Sequence, residues 1–400
     1  MIRDLHSRMH IDRDNLYQNT TVFSGWCRLL PLFACTAVWG LVTVMLGPLL
    51  PGLMARWKVG DAQAGTLFAA SFMGQFIGAW VATRHLRGSL LAGAGLTIFG
   101  VTALVWTGFP SAHLAFFVIG LGISAGLTAG NVLAGLSSPH RARTLAVFNV
   151  SWSVGAIICP VLVRLSGSSN PRLFYVVIAL MMAVGGLLLA THPRSLSHAA
   201  GKTSLGMSDR ANTPPVPLFF FAVCMLLYIG NENALGGWLP TFAVRSNSHA
   251  VASTIALLYW LSELISRLAM ASLPYRVSEV VLYRISLTLL LLTAVFLVLF
   301  PNPSVPILIG TAILAGAAIG PVYPLLIAFL LTRFSNHPWI GRLFASASLG
   351  GAALPWLTGV VSTHFGGLRA GFVVPATGIF LMLVLSANII QTPSSGSLQA

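Results

Sequence analysis

The sequence predicts an all-α membrane protein whose twelve transmembrane helices form two pseudo-symmetric six-helix halves. Three observations carry that expectation. The first is a shortage of charge. Of 400 residues, 56% are hydrophobic and only 8% charged, where soluble domains carry about 25%, so this surface needs hydrocarbon as its solvent. The second is a series of apolar runs of about 20 residues, the length a helix needs to cross a bilayer core. Buried strands of a soluble α/β protein would be shorter, about 4–8 residues. The third is a single long polar segment, Thr191 to Pro217, rich in Pro, Ser and Gly, that falls near the middle and reads as a linker.

The expected spans are 29–50, 61–83, 90–109, 112–136, 144–165, 172–191, 217–244, 250–273, 279–300, 304–332, 340–365 and 368–391. Residues 1–28 form a cytoplasmic arm with no signal-peptide core. Residues 29–191 and 217–391 are the halves, 192–216 a cytoplasmic linker, and 392–400 a polar tail. The net charge of +14 raises the question of a polyanionic partner. With both termini cytoplasmic, Arg56, Lys58, Arg164, Arg172, Arg245 and Arg369 fall outside, and the other 16 of the 22 Lys and Arg fall inside. That bias follows the positive-inside rule and requires no nucleic acid. Compactness and short loops place the chain in a bacterial inner membrane, where a monomer in contact with lipid suffices.

Taken in order, the first span offers only Thr36, Trp39 and Thr43 as polar positions. The second begins at Asp61, where an aspartate caps a helix and suits its dipole, and it carries Gly74, Gln75 and Gly78. The fourth carries Gly122, Gly126, Gly130 and Asn131, and the fifth Asn149 and Trp152. Glycines four apart let helix backbones approach closely. Gly155-x-x-x-x-Pro160 in the fifth span recurs as Gly350-x-x-x-x-Pro355 in the eleventh, a trace of repetition between halves. Such repeats place substrate at the midplane between them. The ninth span opens at Glu279, and the tenth carries Gly316, Gly320 and Tyr323.

The acidic side chains concentrate the chemistry. Apart from the arm, the central loop and the helix starts, only Glu232 and Glu263 remain. Glu263 precedes Arg267 by four residues, the favourable order for a helical ion pair, and so forms either a salt bridge near the membrane surface or a gate. Glu232 lies mid-membrane, with no base on its own helix before Arg245. A carboxylate there marks a substrate or proton path. Asn231 and Asn233 flank it, and Gly230, Gly236 and Gly237 are expected to loosen the helix. Sorting the basic residues by side leaves none at mid-depth, which disfavours anionic solutes. Gln75, Asn131, Asn149, Trp152, Asn231, Asn233, Tyr259, Trp260 and Tyr323 supply amides and aromatic faces, the chemistry of a polyhydroxylated solute.

Across nearly its whole length the chain resembles the major facilitator superfamily of transporters. Within it, the seventh span is similar to the fucose permease and glucose–galactose porter branch. It reads Tyr228-x-Gly230-x-Glu232-x-x-x-Gly236-Gly237-Trp238, followed in the eighth by Tyr259-Trp260 and Ser266-Arg267. The resemblance implies alternating access, a substrate and proton site that includes Glu232 and Trp238, and a gating loop between spans two and three. Arg84 and Arg87 stand in that loop, but the aspartate the superfamily usually has there is missing. The carboxylates that the branch carries in its first and fourth helices are also missing, and Asn131 stands in the fourth.

The expected function is therefore secondary active transport of a small neutral solute, a sugar by class, coupled to protons. The alternative is an exporter of hydrophobic or cationic compounds. A polytopic membrane enzyme is disfavoured because the expected outer loops hold only Asp61 and scattered histidines. Gly122-x-Ser124-x-Gly126 imitates a hydrolase elbow but lies within a helix, away from acids. The sequence holds no zinc, P-loop or dinucleotide signature, so no metal or cofactor is expected.

Overall fold

The computed structural model describes residues 29–82, 85–136, 141–166, 171–191, 215–246, 251–272, 277–300, 302–334 and 340–389. The expected arm, residues 192–214 of the linker, the tail and Arg84 lie outside these ranges. Among the described residues all regular structure is helical. Ten helices are long and apolar enough to cross a membrane, and an eleventh crossing is the pair Leu29–Val44 and Leu46–Trp57, bent by 44°. The twelfth is Ile340–His364, 25 residues long. It is rich in Gly, Ala and Ser, and its position explains this: it packs against both the second and seventh spans, where small residues allow close approach and bulky ones would not.

Two expected spans differ in detail. The first is bent rather than straight. The tenth is two helices, Val305–Ile319 and Val322–Phe334, separated at Gly320-Pro321. Proline lacks an N–H and its ring clashes with the preceding turn, and this segment has both Pro321 and Pro324.

The seventh span runs without interruption from Pro215 to Ser246, 32 residues. Its glycines therefore do not loosen it, contrary to the expectation from sequence. They admit neighbours instead. A β-carbon at Gly236 would sit 2.8 Å from the Trp260 ring, and one at Gly237 would sit 2.6 Å from the ring of Phe68 in the second span.

The same contacts reveal the repeat. A β-carbon at Gly155 would fall 1.7 Å from the Ala37 carbonyl oxygen, fixing the fifth span on the first. One at Gly350 would fall 1.8 Å from the Leu226 carbonyl oxygen, fixing the eleventh on the seventh. Gly120 of the fourth span approaches Ser71 of the second as Gly316 of the tenth approaches Tyr259 of the eighth. Each half thus closes the same crossings with glycine at equivalent places, and the Gly-x-x-x-x-Pro repeat belongs to one of them.

Candidate functional site

Two polar clusters interrupt the apolar interior. The first lies between the seventh, eighth and tenth spans. Tyr228 and Glu232 are one helical turn apart and share a face of the seventh span. The Tyr228 hydroxyl donates to Glu232 Oε1. Arg267 of the eighth span brings Nη2 to within 3.1 Å of the same oxygen and 2.8 Å of the Tyr228 hydroxyl. Nη2 also pairs with Glu263 Oε1, one turn earlier on its own helix. The Tyr259 hydroxyl donates to the Glu232 backbone carbonyl at 3.2 Å, and the Tyr323 ring lies 5.2 Å from that of Tyr228.

The tenth span completes this cluster through its prolines. In a helix, the carbonyl of Ala317 would accept from residue 321 and that of Gly320 from residue 324. Both donors are missing because both residues are proline. The eighth span supplies replacements: Ser266 Oγ donates to Ala317 O at 2.7 Å, and Arg267 Nε donates to Gly320 O at 3.3 Å. Orphaned carbonyls therefore hold the arginine in place.

This arrangement corrects two sequence expectations. Glu232 is not isolated, because its partner comes from the next helix rather than its own. Nor is mid-depth free of basic groups. Arg267 belongs to the last third of its helix, but helical side chains lean toward the N-terminus, which carries the guanidinium inward to Glu232. The proposed carboxylate site and the Glu263–Arg267 pair are one cluster. Glu232 and Glu263 are 6% and 1% exposed, so two buried carboxylates face one guanidinium.

The remaining sequence candidates are distributed more widely. Trp260 stands edge-on to Tyr259 at 5.0 Å and to Trp152 of the fifth span at 6.0 Å, so it touches both halves. Its indole N–H is buried without a hydrogen bond among the described residues, as is the amide nitrogen of Gln75. Asn231 turns away, with Nδ2 3.7 Å from Met382 Sδ of the twelfth span. Asn233 donates to its own helix at Ile229 O, 2.9 Å, and Asn149 likewise to Leu145 O, 2.8 Å. Trp238 is fully buried and donates to Pro355 O at 2.8 Å, a helix-packing bond. Asn131 and Arg87 are exposed and form none of these bonds.

The second cluster was not anticipated. Asp61 is no simple cap. Its Oδ2 accepts from Arg245 Nη1 at 2.8 Å, a second bond joins Oδ1 to Nη2, and the Ser362 hydroxyl also donates to it. The Ala62 N–H donates to Thr363 Oγ1 at 2.9 Å. Asp61 and Ala62 belong to the first half; Arg245, Ser362 and Thr363 belong to the second. Among the described residues, the hydrogen bonds that join the halves all lie at this end. The available signal was a single acid and a single base terminating two helices on the same expected side.

The chain belongs to the Major Facilitator Superfamily, whose family model matches residues 32–338. It is a membrane transporter of that type, a multi-pass integral membrane protein. It is 24% identical over 388 residues to Bypass of stop codon protein 6 of Saccharomyces cerevisiae, covering 84% of this chain and 78% of that one. It is 26% identical to the 4-hydroxybenzoate transporter PcaK of Pseudomonas putida over 40% of this chain and 38% of that protein. Its fold is similar to a crystal structure of the E. coli fucose:proton symporter FucP, with a TM-score of 0.59 and 15% identity. That likeness covers 91% of this chain and 98% of the other, and at that identity it concerns the fold alone.

Proposed function

We propose that the protein is a proton-coupled importer of a small neutral polyhydroxylated solute of the sugar class, related to the fucose-permease branch. The carrying observation is the charge balance of the buried cluster. Among the described residues, Glu232 and Glu263 against Arg267 leave one negative charge uncompensated. Charge buried without a partner is costly, and a proton is the smallest ion that compensates it. Because the lone guanidinium is already outnumbered, the cluster has no spare positive charge for an anion. The unbonded donors of Trp260 and Gln75 suit a solute rich in hydroxyls, since buried donors left unpaired cost about 1–3 kcal/mol each.

In this reading the halves 29–191 and 217–391 rock about the midplane site, joined by the linker 192–216. The bias of basic residues puts the Asp61 end outside and both termini in the cytoplasm of a bacterial cell. The Asp61–Arg245–Ser362 latch then closes the outer gate, and the protein works as a monomer.

The test is uptake into proteoliposomes with and without an inward proton gradient, comparing wild type with Glu232→Gln across labelled sugars. The expected result is gradient-driven accumulation in the wild type, lost in the variant while exchange persists. Accumulation unchanged by the substitution would return Glu232 to a structural role. A second reading, an aromatic carboxylate as solute, is favoured by Arg267 Nη1, which forms no hydrogen bond among the described residues, and by the partial similarity to PcaK. Including 4-hydroxybenzoate in the panel decides between them. Accumulation driven by reversing the gradient would support an exporter.

A further inference from the structure

Outside the two clusters, a third feature stands on the membrane-facing surface. The ninth span turns Val281, Ile285, Leu289 and Leu292 outward, each more than one-third exposed. Arg284 and Thr288 interrupt that apolar stripe. A groove of about 270 Å³ runs along it, lined by Val281, Arg284, Ile285, Thr288 and Leu289. A guanidinium carries five N–H donors and cannot shed its charge. Among the described residues, only Nε of Arg284 is bonded, to Ser386 Oγ of the twelfth span at 3.3 Å.

A second guanidinium reaches the same helix end. Arg333, in the last turn of the tenth span, places Nη1 3.4 Å from the carbonyl oxygens of Asn388 and Ile389. That contact explains Arg333, since cations stabilise the C-terminus of a helix. It does not explain Arg284, which caps no helix and, among the described residues, pairs with no acid. The ion pairs among the described residues are Asp61 with Arg245, and Glu232 and Glu263 with Arg267. Two positive charges without acidic partners therefore converge on the end of the twelfth span, beside an apolar groove open to lipid.

We propose that this groove binds a phospholipid with an anionic headgroup. The headgroup phosphate meets the remaining nitrogens of Arg284, and Arg333, held at the last carbonyls of the twelfth span, adds its field. One acyl chain follows Ile285, Leu289 and Leu292 toward the bilayer centre. Basic pockets between transmembrane helices recognise lipid headgroups in this way. The apolar walls favour a lipid over a soluble phosphate, which has nothing to place against Ile285 and Leu289.

The experiment uses the full chain purified in neutral detergent. Its thermal unfolding midpoint is followed while phosphatidylglycerol, phosphatidylcholine or inorganic phosphate is added. Phosphatidylglycerol is expected to raise the midpoint saturably, and the other two are not. Arg284→Gln should weaken the apparent affinity for phosphatidylglycerol about fivefold. Thr288→Trp, which fills the groove and keeps both arginines, should weaken it as well, and it decides the matter if Arg284→Gln does not fold. Identical responses from wild type and Thr288→Trp would overturn the proposal. So would an equal response to phosphatidylcholine, which means bulk solvation by lipid. An inorganic phosphate response as large as that of phosphatidylglycerol would overturn it in favour of a soluble anion.

Discussion

At the scale of single residues, Arg267 is the position on which the interior charge depends. It touches Glu232, Glu263, Tyr228 and the Gly320 carbonyl, and so ties three spans together. Removing one partner from a buried ionic cluster costs about 3–5 kcal/mol, because the remaining charges lose their compensation. Arg267→Met is therefore expected to lower the unfolding midpoint sharply in detergent. Adding Glu263→Gln to it should recover part of the loss, since one stranded carboxylate has then been removed. A single variant that melts like the wild type would mean that the three groups do not share their charge. Glu232 itself was legible in the sequence as the conspicuous acid of an apolar run. Its partner was not, because spacing along one helix says nothing of which side chain arrives from the next. Tyr228 was in view as part of a motif, yet its role shows only once it is seen bonded to both Glu232 and Arg267.

At the scale of elements, the glycines and prolines divide the work. The glycine positions were readable as close crossings, and the backbone approaches at Gly74, Gly122 and Gly316 agree with that reading. Those of the seventh span were misread because glycine signals either flexibility or proximity, and only the neighbour decides which. Gly350→Ala drives a methyl into the Leu226 carbonyl and should cost about 1–3 kcal/mol or more by overpacking. The check is the fraction of monodisperse protein after extraction, with Gly95→Ala, which meets open space, as the control. Pro324→Ala tests the opposite device. It returns an N–H donor to Gly320 O, in competition with Arg267 Nε. The expected outcome is near-unchanged stability with altered solute affinity, read by equilibrium binding to the purified protein. Unchanged affinity would show that the orphaned carbonyl contributes nothing to positioning the arginine.

At the scale of the whole molecule, the clasp at the Asp61 end holds the two halves together on one side. The Arg245 side chain is 43% exposed, so the pair is partly solvated and contributes little to global stability, about 0–1 kcal/mol. Its effect belongs to the balance between conformations, where even that much matters. Asp61→Arg should open this end, seen as faster labelling of a cysteine introduced at Ala64, which is buried one turn from Asp61. The exchanged double variant, Asp61→Arg with Arg245→Asp, should close it again. Failure of the exchange to restore protection would assign the closure to packing of Phe68 and Trp238 instead. The architecture was readable from run lengths and the central break. The clasp was not, since it joins residues some 180 to 300 positions apart in sequence.

The pairing of Glu263 with Arg267 within one helix also bears on how the chain is made. Spans emerge from the ribosome in order, and an unpartnered charge at a helix centre costs about 2.5–3.5 kcal/mol on insertion. The eighth span carries its acid and its base one turn apart, so it can enter the bilayer as a neutral unit before the tenth span exists. Glu232 enters one helix earlier and waits for that arginine. Synthesis thus delivers the arginine immediately after the carboxylate that comes to share it with Glu263, and the proline-freed carbonyls that position the arginine come last.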